Sequence, residues 1–283
     1  MKELNQHIKL PKRVLTIAGS ASGGSAGIQA DLKTFHEIGV YGMSVITAIV
    51  GRHPETGTNV HPNTITSIEA QFATVLEQTG IDSLKTGMLF SKEIIQVVAD
   101  LLNEVKHAAI VVDPVMVGKH NSILLREDAM DALVNKIVPQ ATIITPNMEE
   151  ASILLDNRPI KTLDDCKQAA IDLHRDGQKQ VLVKGGRLKG PAIDILYDGN
   201  TMYCLEAPRI PTQNTSGAGC SYSAAIAAYT AKGFSIFDAV KAAKQFITTA
   251  IAYSYSFTDK PGPVNQLANR HEKAIYEVST YKD

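Results

Sequence analysis

The chain has 283 residues, 44% of them hydrophobic, with 28 basic and 29 acidic side chains and a formal net charge of -1. That balance supplies enough apolar surface for one core, and it excludes both intrinsic disorder and a global field favouring nucleic acid or an anionic membrane. The three cysteines, Cys166, Cys204 and Cys220, are odd in number and far apart, which fits neither a disulfide framework nor a paired-cysteine metal site and points to a reducing cytoplasm.

Residues 1–13 carry Lys2, Glu3, Lys9 and Lys12 and no long apolar run, so neither a secretory leader nor a membrane span is expected there. Apolar runs bounded by turn residues then predict buried strands at 14–18, 45–50, 108–112, 142–145 and 181–183. Amphipathic stretches of helical length lie between them at 28–38, 65–79, 92–105, 126–137 and 163–176. Strand then helix, repeated, argues for one α/β domain over 1–283 with a mostly parallel sheet and helices on both faces. After Lys184 the pattern changes to two short strands, 193–197 and 202–206, around Asp198-Gly199-Asn200, which reads as a hairpin. Helices are expected at 219–232 and 236–253, followed by Pro261-Gly262-Pro263 and a polar tail.

Four segments could carry chemistry. Asn214-Thr215-Ser216-Gly217-Ala218-Gly219-Cys220 precedes a small-residue helix; its glycines let backbone approach an anion, and the helix start offers N–H groups, although an ordinary glycine turn has the same pattern. Asp113 directly follows a predicted strand, where it could hold Mg2+ through water or cap a loop. Asn147 and Glu150 follow the next strand, where Glu149 or Glu150 could equally complement a helix dipole. Lys184-Gly185-Gly186 brings a cation to the end of a further strand, as many strand exits do. All four fall at carboxyl ends of predicted strands, where one ligand could touch them together. The loop from Ala18 to Gly27 has glycines at 19, 23, 24 and 27 and matches neither a dinucleotide fingerprint nor a Walker loop, so an organic substrate suits it better.

These segments, together with Leu15-Thr16-Ile17-Ala18-Gly19-Ser20, Gly27-Ile28-Gln29-Ala30-Asp31-Leu32-Lys33-Thr34-Phe35, Lys85-Thr86-Gly87-Met88-Leu89 and Val112-Asp113-Pro114-Val115-Met116, resemble the ribokinase superfamily. The resemblance lies with its branch of hydroxymethylpyrimidine/phosphomethylpyrimidine kinases and Gram-positive pyridoxal kinases. It implies a three-layer α/β/α ribokinase-like fold with a central mostly parallel sheet and a small flap, ATP and Mg2+ as cofactors, and a cytoplasmic homodimer. It further implies that Gly217, Ala218 and Gly219 form the anion hole and that Cys220 is the base, with a thiol lowered by the helix start. Asn147, Lys184 and Thr215 would contact the nucleotide, Asp113 and Glu150 would organise Mg2+, and Ser20, Asp31, Arg52, Met88 and Val115 would contact the substrate. Adenine is expected near the later helices and Pro261-Gly262-Pro263-Val264.

Departures bear on the choice of substrate. Arg52 stands where pyrimidine kinases usually have glutamine, and Ala21 where many relatives carry aspartate. Gly118 stands where several pyridoxal kinases have a second cysteine, and Ser216 replaces a frequent histidine. The segments 192–199 and 242–247 are more similar to the pyridoxal kinases, so phosphorylation of pyridoxal, pyridoxine or pyridoxamine is expected. The alternatives are the hydroxymethylpyrimidine reaction, both reactions, or a non-catalytic ligand-binding module.

Overall fold

A computed structural model describes residues 10–53, 55–105, 107–116, 124–175, 180–270 and 276–283. Along β1 (Arg13–Ala21) Leu15 and Ile17 enter one core while Val14 enters another on the opposite face, as the two-residue strand period requires. Phe35 and Ile38, one helical turn apart on α1 (Gly27–Ile38), cover the second face. β2 (Tyr41–His53) outlasts its parallel neighbour β1 and turns back antiparallel as β3 (Gly57–Pro62), forming the expected flap.

α2 (Ile65–Gln78) is capped by the Thr64 hydroxyl, and β4 (Ser83–Thr86) follows it. α3 (Lys92–Leu102) is capped by Ser91 and precedes β5 (Ala109–Val112). The helix expected over 126–137 is broken instead into a 3-10 turn, α4 (Met130–Ala132), a π turn over Leu133–Ile137 and a closing 3-10 turn over Val138–Gln140. Pro139 has no N–H to donate to the preceding turn, which suits an irregular end.

Next come β6 (Ile143–Ile144), α5 (Met148–Leu154), α6 (Leu163–Arg175), β7 (Val181–Lys184), and the hairpin β8 (Ala192–Tyr197) with β9 (Met202–Ala207). α7 (Ala218–Ala231) and α8 (Ile236–Ala252) precede the edge strand β10 (Ser279–Lys282).

The sheet order is β10-β9-β8-β7-β6-β5-β4-β1-β2-β3, parallel from β7 to β2 and antiparallel at both margins. Residues of α2, α3, α5 and α6 pack on one face and those of α1, α7 and α8 on the other, giving three layers. α7 is buried on nearly every side, which explains its run of alanine and serine: larger side chains would not fit between sheet and neighbouring helices. β1 pairs in parallel with β2 on one side and β4 on the other, so the connections run to opposite sides of β1, the kind of switch point at which a crevice opens at the carboxyl ends. Among the described residues no helix is long and apolar enough to cross a membrane.

Candidate active site

Backbone hydrogen bonds bring the carboxyl ends of the parallel strands to a common rim. Gly87 N–H donates to Ile17 O, Asp113 N–H to Thr86 O, Thr145 N–H to Val112 O and Lys184 N–H to Pro146 O, at 2.8 to 3.1 Å. Each exit loop is therefore tied to the strand beside it, and Asp113, Asn147 and Lys184 converge despite their separation in sequence.

Two cavities open there. One, of about 470 Å³, is lined by Gly19, Val50, Met88, Val115 and Cys220 among others, and the second, of about 500 Å³, by Pro208, Ile210, Tyr222, Ile247 and Ile251 among others. Asn147, Lys184, Thr215, Ala218 and Gly219 line both and form a shared wall.

That wall stands on the glycine turn. Gly217 has φ 80°, and a Cβ on it would lie 1.7 Å from Ser25 O, so only glycine lets the turn press against the loop after β1. Gly27 opposes it with φ 58°, where a Cβ would lie 2.2 Å from Gly19 O. Ser216 Oγ donates to Ser25 Oγ at 3.1 Å, fastening the two loops together. Pro261-Gly262-Pro263-Val264, expected beside the adenine, braces this turn from behind: Ser216 N–H donates to Gly262 O and Val264 N–H to Ser216 O, each at 3.1 Å. The apolar lining of the second cavity comes instead from Pro208, Ile210 and α8. No side chain caps α7, and the Ala218 N–H donates to Thr215 O at 3.2 Å, so it is the following N–H groups of the first turn, beginning with Gly219, that the helix dipole turns toward an anion.

Beside the wall, Lys184 Nζ lies 2.9 Å from Asp113 Oδ1, while Asp113 also accepts from Ser223 Oγ at 3.0 Å and Thr145 Oγ1 at 3.3 Å. Glu150 Oε2 accepts the Asn147 N–H at 2.8 Å, and Asn147 Oδ1 accepts from Glu149 and Glu150 N–H, a capping box for α5. Glu150 thus caps a helix and also lines the first cavity. Burial pushes its carboxyl up to about 7, against the pull of Lys184 and with the push of Asp113. Burial opposes the charge on Lys184, but Asp113 and Glu150 prevail and hold its ammonium above its ordinary value.

Among the described residues no three His, Cys, Asp or Glu side chains cluster as a metal cage. Two carboxylates, Asp113 and Glu150, in the lining of the first cavity nevertheless suit Mg2+, a hard cation that prefers oxygen ligands and retained waters. The donor set fits the ion.

Cys220 lines the first cavity, and its Sγ accepts the Gly27 N–H at 3.4 Å. Here the structure corrects an expectation. Burial raises the thiol, aided by Asp31 and Asp113, and outweighs Lys85 and the Gly27 N–H that favour the thiolate. The helix start alone does not lower it.

Met88 and Val115, expected as substrate contacts, line the first cavity. Ser20 does not line either cavity; its Oγ accepts from Gln29 Nε2 at 2.8 Å. Asp31, expected as a substrate contact, is fully buried behind the lining, where it accepts from Thr16 Oγ1 and Lys85 Nζ, each at 2.7 Å. Arg52 pairs through its backbone with Thr58, its side chain lies outside the described residues, and so does Gly118.

Lys85 itself, in the lining and 0% exposed, was not assigned a role from sequence. A lone lysine inside a short strand was the available signal. Asp194, in β8, was a second: it pairs with Lys244 and lines the second cavity.

A family model described as phosphomethylpyrimidine kinase matches residues 21–265. The chain is 45% identical to the pyridoxine kinase of Bacillus subtilis over 262 residues, covering 91% of this chain and 97% of that protein. It superposes on a Staphylococcus aureus pyridoxal kinase, solved with AMP-PCP and pyridoxal, with a TM-score of 0.89 and 36% identity, covering 97% of this chain and 100% of that one. A phosphomethylpyrimidine kinase from Clostridium difficile gives a TM-score of 0.74 and 40% identity over 86% of this chain and 100% of that one.

Proposed function

Since the chain belongs to the phosphomethylpyrimidine kinase family of the ribokinase-like superfamily, we propose that it transfers the γ-phosphoryl group of ATP to the hydroxymethyl group of pyridoxal, pyridoxine or pyridoxamine. One observation carries the reading: two cavities share a wall of Asn147, Lys184, Thr215, Ala218 and Gly219, and Cys220 lines only the first of them. ATP occupies the second cavity with its terminal phosphate at the shared wall, and the vitamer lies against Met88 and Val115 in the first.

The roles follow from the chemistry each residue presents. Lys184 and the amides of Gly217 and Gly219 meet the charge spread over the transferring group, Ala218 fixes the turn through its N–H to Thr215 O, and Asn147 and Thr215 hold the approach of that group. Cys220 Sγ takes the proton of the alcohol. The alcohol oxygen bonds to the γ-phosphorus as the bond to the β-phosphate oxygen breaks, leaving ADP with the electron pair and a phosphate monoester. Asp113 and Glu150 would hold Mg2+, which would supply neutralisation of the nucleotide phosphates. A cytoplasmic homodimer is part of the reading on family resemblance alone.

Pyridoxal as acceptor is supported by the two pyridoxine and pyridoxal kinases above, one close in sequence and the other in fold. The description of the family model and the Clostridium difficile relative favour hydroxymethylpyrimidine as the second reading. Both acceptors are primary alcohols on flat heteroaromatic rings. Steady-state kinetics with each acceptor and ATP separate them: preference for pyridoxal is expected, and a strong preference for the pyrimidine overturns the choice. Absence of ADP release with either acceptor overturns the kinase reading itself.

A further inference from the structure

Lys85 is a cation buried where catalysis has given it no task. β4 carries it toward the α1 and α7 layer, away from the core that takes its neighbour Leu84. Its side chain is 0% exposed, as is that of Asp31, and the two are joined at 2.7 Å. The other oxygen of Asp31 accepts the Thr16 hydroxyl at 2.7 Å, so the carboxylate is fastened from β1 and cannot swing. A buried ion pair of this kind contributes little net stability, because desolvation of both charges offsets their attraction. Its position is more telling than its strength. Lys85 lines the same cavity as Cys220, whereas Asp31 stands behind it.

We propose that Lys85, oriented by Asp31 and Thr16, is a positioning residue for the phosphoryl transfer: its ammonium is the fixed charge that favours the Cys220 thiolate when an alcohol is seated. The inference rests on the base role of Cys220 proposed above. The charged groups bearing on Sγ are Lys85 from β4, Asp31 from α1, Asp113 after β5 and Lys184 at the end of β7, together with the Gly27 N–H. Asp113 and Lys184 are paired with each other on the phosphate side. Of the groups bearing on Sγ, Lys85 and the Gly27 N–H favour the thiolate, whereas Asp31 and Asp113 oppose it. The fastening of Asp31 therefore explains why a strand in a hydrophobic sheet carries a lysine: it fixes the cation where the proton must be received.

Alkylation of Cys220 by iodoacetamide, followed by peptide mass spectrometry across a pH series, reads the thiolate directly. In Lys85→Met the midpoint of reactivity should rise by about one unit or more, leaving about tenfold less thiolate at neutral pH. The alkaline rise of kcat should move with it, while KM for the vitamer stays near that of the native chain. Asp31→Asn/Lys85→Met removes both charges, so neither is stranded in the interior if the single variant fails to fold. It should shift the midpoint in the same direction by less. An unmoved midpoint in either folded variant, or a raised KM with unchanged kcat, overturns the proposal. Failure of the base reading is separately visible, because Cys220→Ala would then retain full turnover.

Discussion

Replacing Lys244 by methionine strands a carboxylate in the wall of the second cavity. Lys244 Nζ lies 2.6 Å from Asp194 Oδ2, with side chains only 6% and 5% exposed. Asp194 Oδ1 accepts the Gly185 N–H at 2.9 Å, directly after Lys184. Lys244→Met leaves Asp194 charged and unpaired, at an expected cost of about 3–5 kcal/mol, and Asp194→Asn leaves the ammonium in the same position. The double variant Asp194→Asn/Lys244→Met strands no charge and should cost about 1 kcal/mol or less, so the cycle should show a coupling of at least about 2 kcal/mol. Urea denaturation of all four proteins measures this. KM for ATP should rise in the singles, since the pair lines the cavity proposed for ATP and fixes the backbone that follows Lys184. Strictly additive losses across the cycle would refute the reasoning, because they would mean that water already reaches the two charges.

Cys220→Ala should lose turnover more than ATP affinity. In the native chain kcat should rise with pH through a thiol that burial holds high, whereas Cys220→Asp, a carboxylate base, should bring that rise to lower pH; superimposed pH profiles would exclude the base role. Gly217→Ala should lower kcat by about 10²-fold with the fold retained, since the new Cβ displaces the turn from Ser25 O, and unchanged kinetics would show the turn to be slack. Asp113→Asn should raise the Mg2+ concentration required for activity, and an unaltered magnesium titration rejects its role at the metal. At the opposite end of the sheet, hydrogen bonds from Arg13 hold Asp82 down to about 2 from 3.8. Its contribution is therefore present above its ordinary value and lost as pH falls through about 2. The partly exposed pair is screened, so Asp82→Asn should cost under about 1 kcal/mol at neutral pH and nothing in strong acid, as pH-dependent denaturation would report.

Much of the architecture could be read from local pattern. Continuous apolar runs predicted β1, β2, β5, β6 and β7, because strands covered on both faces need no polar residues. The turn at Asp198-Gly199-Asn200 predicted the β8 and β9 hairpin. β4 escaped notice because Lys85 interrupts its apolar character, and β3 and β10 because edge strands need little hydrophobicity. The broken helix over 127–140 depends on packing that periodicity does not encode. Residue types and spacing singled out Asp113, Asn147, Glu150, Lys184 and the glycine turn before Cys220 as candidates, each beside an ordinary structural alternative, and the role of Cys220 came from the family resemblance. What tertiary structure decided was which of them share a wall, that Asp31 faces a lysine instead of a ligand, and that the Cys220 thiol is raised by burial. Those outcomes depend on distance and dielectric between residues remote in sequence, which no local pattern specifies.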